Sequence, residues 1–285
     1  MTVSSYLRNT ANNAIIRDSE KDSIRSSIAV MKQRLNTYFG TDLKEQFIFG
    51  SYPRNTILPR GMDGRSDIDY MVVLKDDDVQ PQAYLDRLRR FVNAYYSSSE
   101  IKQSHPTIQL KLKHITFELV PALKNQSIFW DEGYKIPKQA GWVDTNPNDF
   151  NSSLIEKNTE HGSVIKPLVR LMKYWNAQNG YIFDSFSLEK WVIARDFGWG
   201  GIIFNSPDLK EYMFQCFNEI SGQNLSQNNE NKLRRAKEIV KKVEELEADG
   251  YPFTAEKTIK KLIPDVNEDR STPTGQSSIN RLTRS

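Results

Sequence analysis

The chain has 285 residues, 38% hydrophobic and 26% charged, an ordinary globular composition long enough for one large domain or two packed lobes. A formal net charge of +3 is too small for a protein that grips duplex nucleic acid by charge alone, so no stable DNA binding is expected, although a local basic patch could still meet a phosphorylated substrate. Cys216 is the single cysteine, which excludes a disulfide framework and a cysteine zinc cluster and points to a reducing, cytoplasmic setting.

The opening stretch, MTVSSYLRNTANNAIIRDSEK, is polar and carries no apolar core of signal-peptide length. No window reaches the apolar length that spans a bilayer, so no membrane partner is expected. In DSIRSSIAVMKQRLNTYFG, Ile24, Ile28, Met31, Leu35 and Tyr38 recur at steps of three and four, which predicts an amphipathic helix stopped by Gly40. QFIFG predicts a short strand that runs into a Gly-Ser turn, and SDIDYMVVL predicts the next strand, ended by the solvated acidic turn KDDD. PQAYLDRLRRFVNAYYSS places Leu85, Leu88, Phe91, Val92 and Tyr95 on one side of a second helix. TIQLKLKHITFELVPAL alternates twice about Lys113-His114, the pattern of a β-hairpin or two successive strands, with Glu118 facing opposite to Phe117 and Leu119.

From about Thr159 the period becomes helical: SVIKPLVRLMKYWNAQNG, SFSLEKWVIARDFG and NKLRRAKEIVKKVEELEADG, the first two stopped by Gly180 and Gly198. The expectation is a catalytic lobe over residues 1–158 that includes the N-terminal helix, and a helical lobe over 159–265. The loop-rich WVDTNPNDFNSSLIEKNTE joins them, and a polar, flexible tail follows over 266–285.

One constellation carries chemistry. Asp67 and Asp69 are two residues apart, so on a strand both point to one face and repel each other unless a cation lies between them. A later strand delivers Glu118. Three carboxylates from neighbouring strands make an oxygen-rich site suited to hard cations such as Mg²⁺. Two such ions, roughly 3.5–4 Å apart, can clamp the attacking and leaving oxygens of a phosphoryl transfer. The Gly50-Ser51 turn offers backbone N–H groups and a hydroxyl, which are phosphate ligands that need close approach. Each piece alone is common, since Asp-x-Asp can be a solvated strand end and Gly-Ser a simple turn. Their order is far more specific. His105, His114 and His161 have no metal-ligand spacing with one another, and His114 reads as a hairpin-turn residue.

GSYPRNTILP…SDIDYMVV followed by FELVPA resembles the DNA polymerase β-like nucleotidyltransferases, and within them the oligoadenylate synthase-like branch with its bacterial cGAS/DncV-like relatives. LVRLMKYWNAQNG…FDSFSLEKWV is similar to that family's helix with a phosphate-binding lysine and the Ser-aromatic pair on the next helix. The resemblance implies an α+β fold of two lobes: a mixed-sheet N-terminal catalytic lobe with a long N-terminal helix, and a helical C-terminal lobe. It implies that Asp67, Asp69 and Glu118 hold two Mg²⁺ ions (or Mn²⁺), that Gly50, Ser51, Lys173 and Ser185 bind the donor triphosphate, and that Phe186 stacks on a base. For Lys173 the plain alternative is a solvated helix face, and for Phe186 a core phenylalanine. The sequence departs from the family in two places: Glu118 stands where many relatives have Asp, and the loop from Pro53 to Ser66 is long.

The activity so implied is condensation of nucleoside triphosphates, ATP with or without a second one, into a cyclic di- or oligonucleotide with release of pyrophosphate. The product would be a second messenger of bacterial antiphage (CBASS-type) signalling, read by a separate effector protein, with a protein regulator as a further partner. An RNA-tailing, CCA-adding or linear oligoadenylate-synthesising enzyme uses the same carboxylates, and a non-catalytic nucleotide-sensing module uses the same fold. The first needs a long basic groove, against which the small net charge argues; the last often loses a carboxylate, and all three are present.

Overall fold

The computed structural model describes residues 1–104, 106–125, 133–138, 141–147, 149–198 and 208–266. The expected tail, apart from Val266, and His105 lie outside the described residues.

Two helices open the chain, α1 (Val3–Asn13) and α2 (Asp18–Phe39). Asp18 and Glu20 in the first turn of α2 oppose the positive end of its dipole, and Gly40 ends it at φ 51°. Strands β1 (Leu43–Phe49) and β2 (Asp67–Leu74) follow, then α3 (Pro81–Tyr95) and five further strands: β3 (Glu100–Ser104), β4 (Thr107–Lys111), β5 (Thr116–Lys124), β6 (Tyr134–Lys138) and β7 (Gly141–Thr145). The sheet runs β1-β2-β5-β4-β3, with β6 on β5 and β7 on β6. Only β2 and β5 pair in parallel among these strands, so the sheet is mixed as expected. The predicted hairpin is β4–β5, and His114 sits at its turn with Nε2 2.9 Å from Ser27 Oγ.

The period of two decides what the sheet does. On β2, Ile68, Tyr70, Val72 and Leu74 all pack into the core beneath α2 and α3, with Phe117 and Leu119 of β5 beside them. Each such burial contributes about 1.5–3 kcal/mol. On the opposite face Met71, Val73, Val120 and Ala122 form a smaller apolar cluster. Asp67, Asp69 and Glu118 occupy that same face at its open end. The apolar parts of both faces fix the register, and a slip by one residue would drive the acids into the core.

The second lobe contains α4 (Asp149–Glu160), α5 (Ile165–Gln178), α6 (Ser185–Ile193), α7 (Leu209–Glu219), α8 (Gln227–Ala248) and α9 (Pro252–Ile259). The segment read as loop-rich therefore contains a helix, α4, with only Leu154 fully withdrawn from water. Gly180 takes φ 78° just beyond α5, whereas α6 stops at Ile193, short of Gly198. The core of this lobe reaches past its expected limits. Val3, Tyr6, Leu7 and Ala11 of α1 lie in it, and Tyr6 donates to the Ile263 carbonyl at 2.7 Å. Leu58 and Met62, from the loop between β1 and β2, lie in it too. The lobe that α1 joins in space is thus the helical one, although in sequence it precedes the sheet. No helix among the described residues is long and apolar enough to cross a membrane.

Candidate active site

A cleft of about 650 Å³ opens between the sheet and the helical lobe. All eight residues singled out from the sequence line it: Gly50, Ser51, Asp67, Asp69 and Glu118 from the sheet side, and Lys173, Ser185 and Phe186 from the helices.

The sheet side is built as one rung across four strands. Phe49 of β1 pairs with Asp69 of β2, Asp69 with Glu118 of β5, and Glu118 with Gln109 of β4. Gly50 follows directly and turns the chain at φ 76°. A Cβ at Gly50 would overlap the carboxylate of Asp69, so only the bare backbone can come this close to the acid. Burial, reinforced by Asp69 and Glu118, raises the proton affinity of the Asp67 carboxyl; burial and Glu118 do the same for Asp69, against Arg54 and Lys173, which lower it. The acids are therefore short of positive charge. That donor set fits a hard divalent cation by its chemistry. Among the described residues, however, no group of three or more His, Cys, Asp or Glu side chains is arranged to hold a metal ion as it stands. Glu118 is engaged within the sheet: its Oε1 accepts from Gln109 Nε2 at 2.6 Å. Gln109 is a neighbour that the sequence reading passed over, though its place opposite Glu118 follows from the hairpin register.

The helical side reaches the Gly-Ser turn through the loop that follows it. Lys173 is not on a solvated face. It is buried, and its Nζ donates to the Thr56 carbonyl at 3.0 Å. Burial lowers its proton affinity, offset by Glu189 and Asp63. Arg170, one turn earlier on α5, donates to the Asn55 carbonyl at 3.0 Å. Asn55 has φ 59°, a left-handed conformation that asparagine tolerates better than most residues. Two buried cations of α5 thus hold consecutive carbonyls of the loop.

Arg54 and Glu189 form the strongest tie. Arg54 Nε and Nη2 reach the two carboxylate oxygens of Glu189 at 3.0 and 3.2 Å, and Thr56 Oγ1 donates to Glu189 Oε1 at 2.8 Å. The side chains are 6% and 1% exposed. The guanidinium also lies 5.0 Å from the Phe150 ring centre and 5.8 Å from that of Phe186. Arg54 and Glu189 stood in both quoted motifs without an assigned role; their charges were legible, their pairing across the lobes was not. Phe186 is 48% exposed and meets Phe150 edge-on at 5.1 Å, so it is not a core phenylalanine. Ser185 is the first residue of α6, whose cap Asp184 accepts from the Ser187 amide at 2.7 Å.

Residues 1–158 match the family described as the Second Messenger Oligonucleotide or Dinucleotide Synthetase domain. The chain belongs to this family. The matched span holds the carboxylate rung and the Gly-Ser turn, while Lys173, Ser185 and Phe186 lie beyond it. A probable cyclic nucleotide synthase of Bacillus cereus is 26% identical over 209 residues, 60% of this chain and 62% of the relative. The cyclic AMP-AMP-AMP synthase of an Acinetobacter species is 29% identical over 142 residues, 47% of this chain and 39% of the relative. The chain therefore spans less than two thirds of the length of either. In fold the chain resembles Escherichia coli CdnC with ATP, at a TM-score of 0.69, 14% identity and coverage of 93% of this chain and 98% of that one. It also resembles Vibrio cholerae DncV in its apo form, at a TM-score of 0.68, 12% identity and coverage of 90% and 92%. The expected polymerase β-like nucleotidyltransferase fold and the cGAS/DncV-like family are both borne out.

Proposed function

We propose that the protein condenses nucleoside triphosphates into a cyclic di- or oligonucleotide, with release of pyrophosphate. The observation that carries this reading is the meeting, in one cleft of a synthetase-family chain, of Asp67, Asp69 and Glu118 with the Gly50-Ser51 turn and Lys173. A hydroxyl oxygen of one nucleotide bonds to the α-phosphorus of another. The bond from that phosphorus to the bridging oxygen breaks, pyrophosphate leaves with the electron pair, and the hydroxyl proton passes to solvent. A second round within the same cleft closes the ring.

Asp67, Asp69 and Glu118 would hold divalent cations, Mg²⁺ or Mn²⁺, which when bound supply Lewis-acid stabilisation of the attacking and leaving oxygens. The protein's own groups do the rest. Gly50 and Ser51 present backbone N–H and hydroxyl donors to the donor phosphates, from a turn whose glycine packs directly against the Asp69 carboxylate. Lys173 faces them from the second lobe and balances their charge from a position fixed by the Thr56 carbonyl. Ser185 adds a hydroxyl at the start of α6, and Phe186 offers an exposed ring on which a base can stack. Catalysis on this account is chiefly positioning and electrostatics.

CdnC is described in complex with a HORMA protein, which supports a protein regulator for this chain as well; a separate effector would read the product, in antiphage signalling within the cytoplasm. The deciding experiment is mass spectrometry of the products made from an equimolar mixture of the four nucleoside triphosphates with Mg²⁺, alongside labelled RNA. A cyclic product with stoichiometric pyrophosphate is expected. Extension of the RNA without a cyclic product, or tight nucleotide binding with no turnover under any metal tested, would overturn the proposal.

A further inference from the structure

Among the described residues, three cations line the cleft against six carboxylates, and two of the three are engaged by the protein itself. Arg54 is held by Glu189, and Lys173 Nζ by the Thr56 carbonyl. Arg65 is the third. Among the described residues its side chain donates no hydrogen bond and joins no ion pair. Its guanidinium carbon lies 3.8 Å from the centre of the Tyr181 ring, and the residue is exposed to the cleft.

The segment that carries Arg65 is built to hold it there. Met62 is buried in the helical core, and its carbonyl accepts from Gln178 Nε2 at 3.2 Å. Asp63 accepts from the Arg65 amide at 2.8 Å and from the Tyr181 hydroxyl in a short hydrogen bond. Ser66 Oγ closes the neck of the loop on the Leu58 carbonyl at 2.7 Å. One carboxylate therefore fixes both the backbone of the arginine and the ring beneath its side chain. A guanidinium stacked on an aromatic face keeps its N–H edge free, and that edge matches two oxygens of a phosphate.

We propose that Arg65 is a phosphate-binding residue of the cleft, contacting a substrate nucleoside triphosphate that Gly50, Ser51 and Lys173 do not alone neutralise. The long loop from Pro53 to Ser66 then has a purpose: it carries Arg65 from the sheet to the ring of Tyr181 on the helical wall. The inference rests on the nucleotide-binding reading of the cleft.

The full chain is titrated with each of the four nucleoside triphosphates, and for the tightest binder with its monophosphate and its nucleoside. Arg65→Ala should weaken the triphosphate about tenfold or more, leave the nucleoside unchanged, and keep the wild-type unfolding midpoint. Arg65→Lys should recover part of the loss. A loss seen with the first nucleotide bound assigns the contact to that nucleotide; a loss seen only when a second is titrated onto the saturated protein assigns it to the second. Triphosphate binding unchanged in Arg65→Ala, or weakened equally for the nucleoside, overturns the inference alone. Wild-type protein that binds no triphosphate overturns the reading of the cleft with it.

Discussion

Asp67, Asp69 and Glu118 on the sheet wall and Arg54 with Glu189 at the helical wall are all charges withdrawn from bulk water within one cleft, yet they are handled in opposite ways. Glu189 receives two guanidinium hydrogen bonds and one hydroxyl, so its charge is fully answered inside the protein. Asp67 and Asp69 face each other and Glu118, and the answer to their charge has to come from outside. The first arrangement joins two lobes; the second leaves a demand that a ligand can meet. Part-buried charge without a partner is costly, so its persistence at the mouth of an otherwise apolar strand supports the proposed binding role.

That contrast can be broken at either end. Asp67→Asn with Asp69→Asn should lower product formation on the order of a thousandfold or more. The same pair should raise the unfolding midpoint of the metal-free protein at neutral pH by a few degrees, of the order expected for about 1 kcal/mol. Added Mg²⁺ should raise the midpoint of the wild type and not of the variant. Product at the wild-type rate would sink the assignment of these acids. At the other end, Glu189→Gln leaves Arg54 buried without its counter-charge and should cost about 3–5 kcal/mol in urea unfolding. Replacing both, Arg54→Met with Glu189→Leu, should regain much of that stability. A Glu189→Gln protein within about 0.5 kcal/mol of wild type would show that the pair does not join the lobes.

A smaller effect sharpens the comparison away from the cleft. His161 is buried, with Nδ1 2.8 Å from the Tyr212 hydroxyl, and burial followed by nearby Lys157 holds its pKa below the ordinary histidine value. Its folded pKa is therefore lower than its unfolded one near about 6.5, so its contribution is complete above that pH and is lost as pH falls through the folded value. His161→Gln should cost about 1 kcal/mol at pH 8 and flatten the decline in stability toward pH 5. Urea titrations at both pH values check it; an unchanged acid slope would count against the histidine.

The sheet wall was nearly all legible in the sequence because it is written locally. Alternation along SDIDYMVVL and TFELVPAL sets which face each acid takes, and the β4–β5 hairpin sets their neighbours. The helical wall was legible only through family resemblance. Lys173 is buried because α5 is enclosed on every side, from Leu168 through Asn176, which a helical period in the sequence does not reveal. α1 escaped notice in a polar stretch although Val3, Leu7 and Ala11 recur at helical steps; eleven residues, six of them Ser, Thr or Asn, give a faint stripe. α4 was hidden for the same reason, with one fully buried leucine. The Arg54–Glu189 pair joins residues 135 positions apart, and separations of that kind are properties of the packed chain alone.

Gly50 has a consequence for any attempt to diversify this protein. Two separate locks act on the position: the space occupied by the Asp69 carboxylate and a backbone angle of 76°. In a saturation library the column for residue 50 should contain a single letter. Shortening Asp69 to alanine opens only the first lock, so such a background should readmit asparagine before any β-branched residue. The turn and the acid thus form one unit of inheritance, and neither can drift unless the other has already moved.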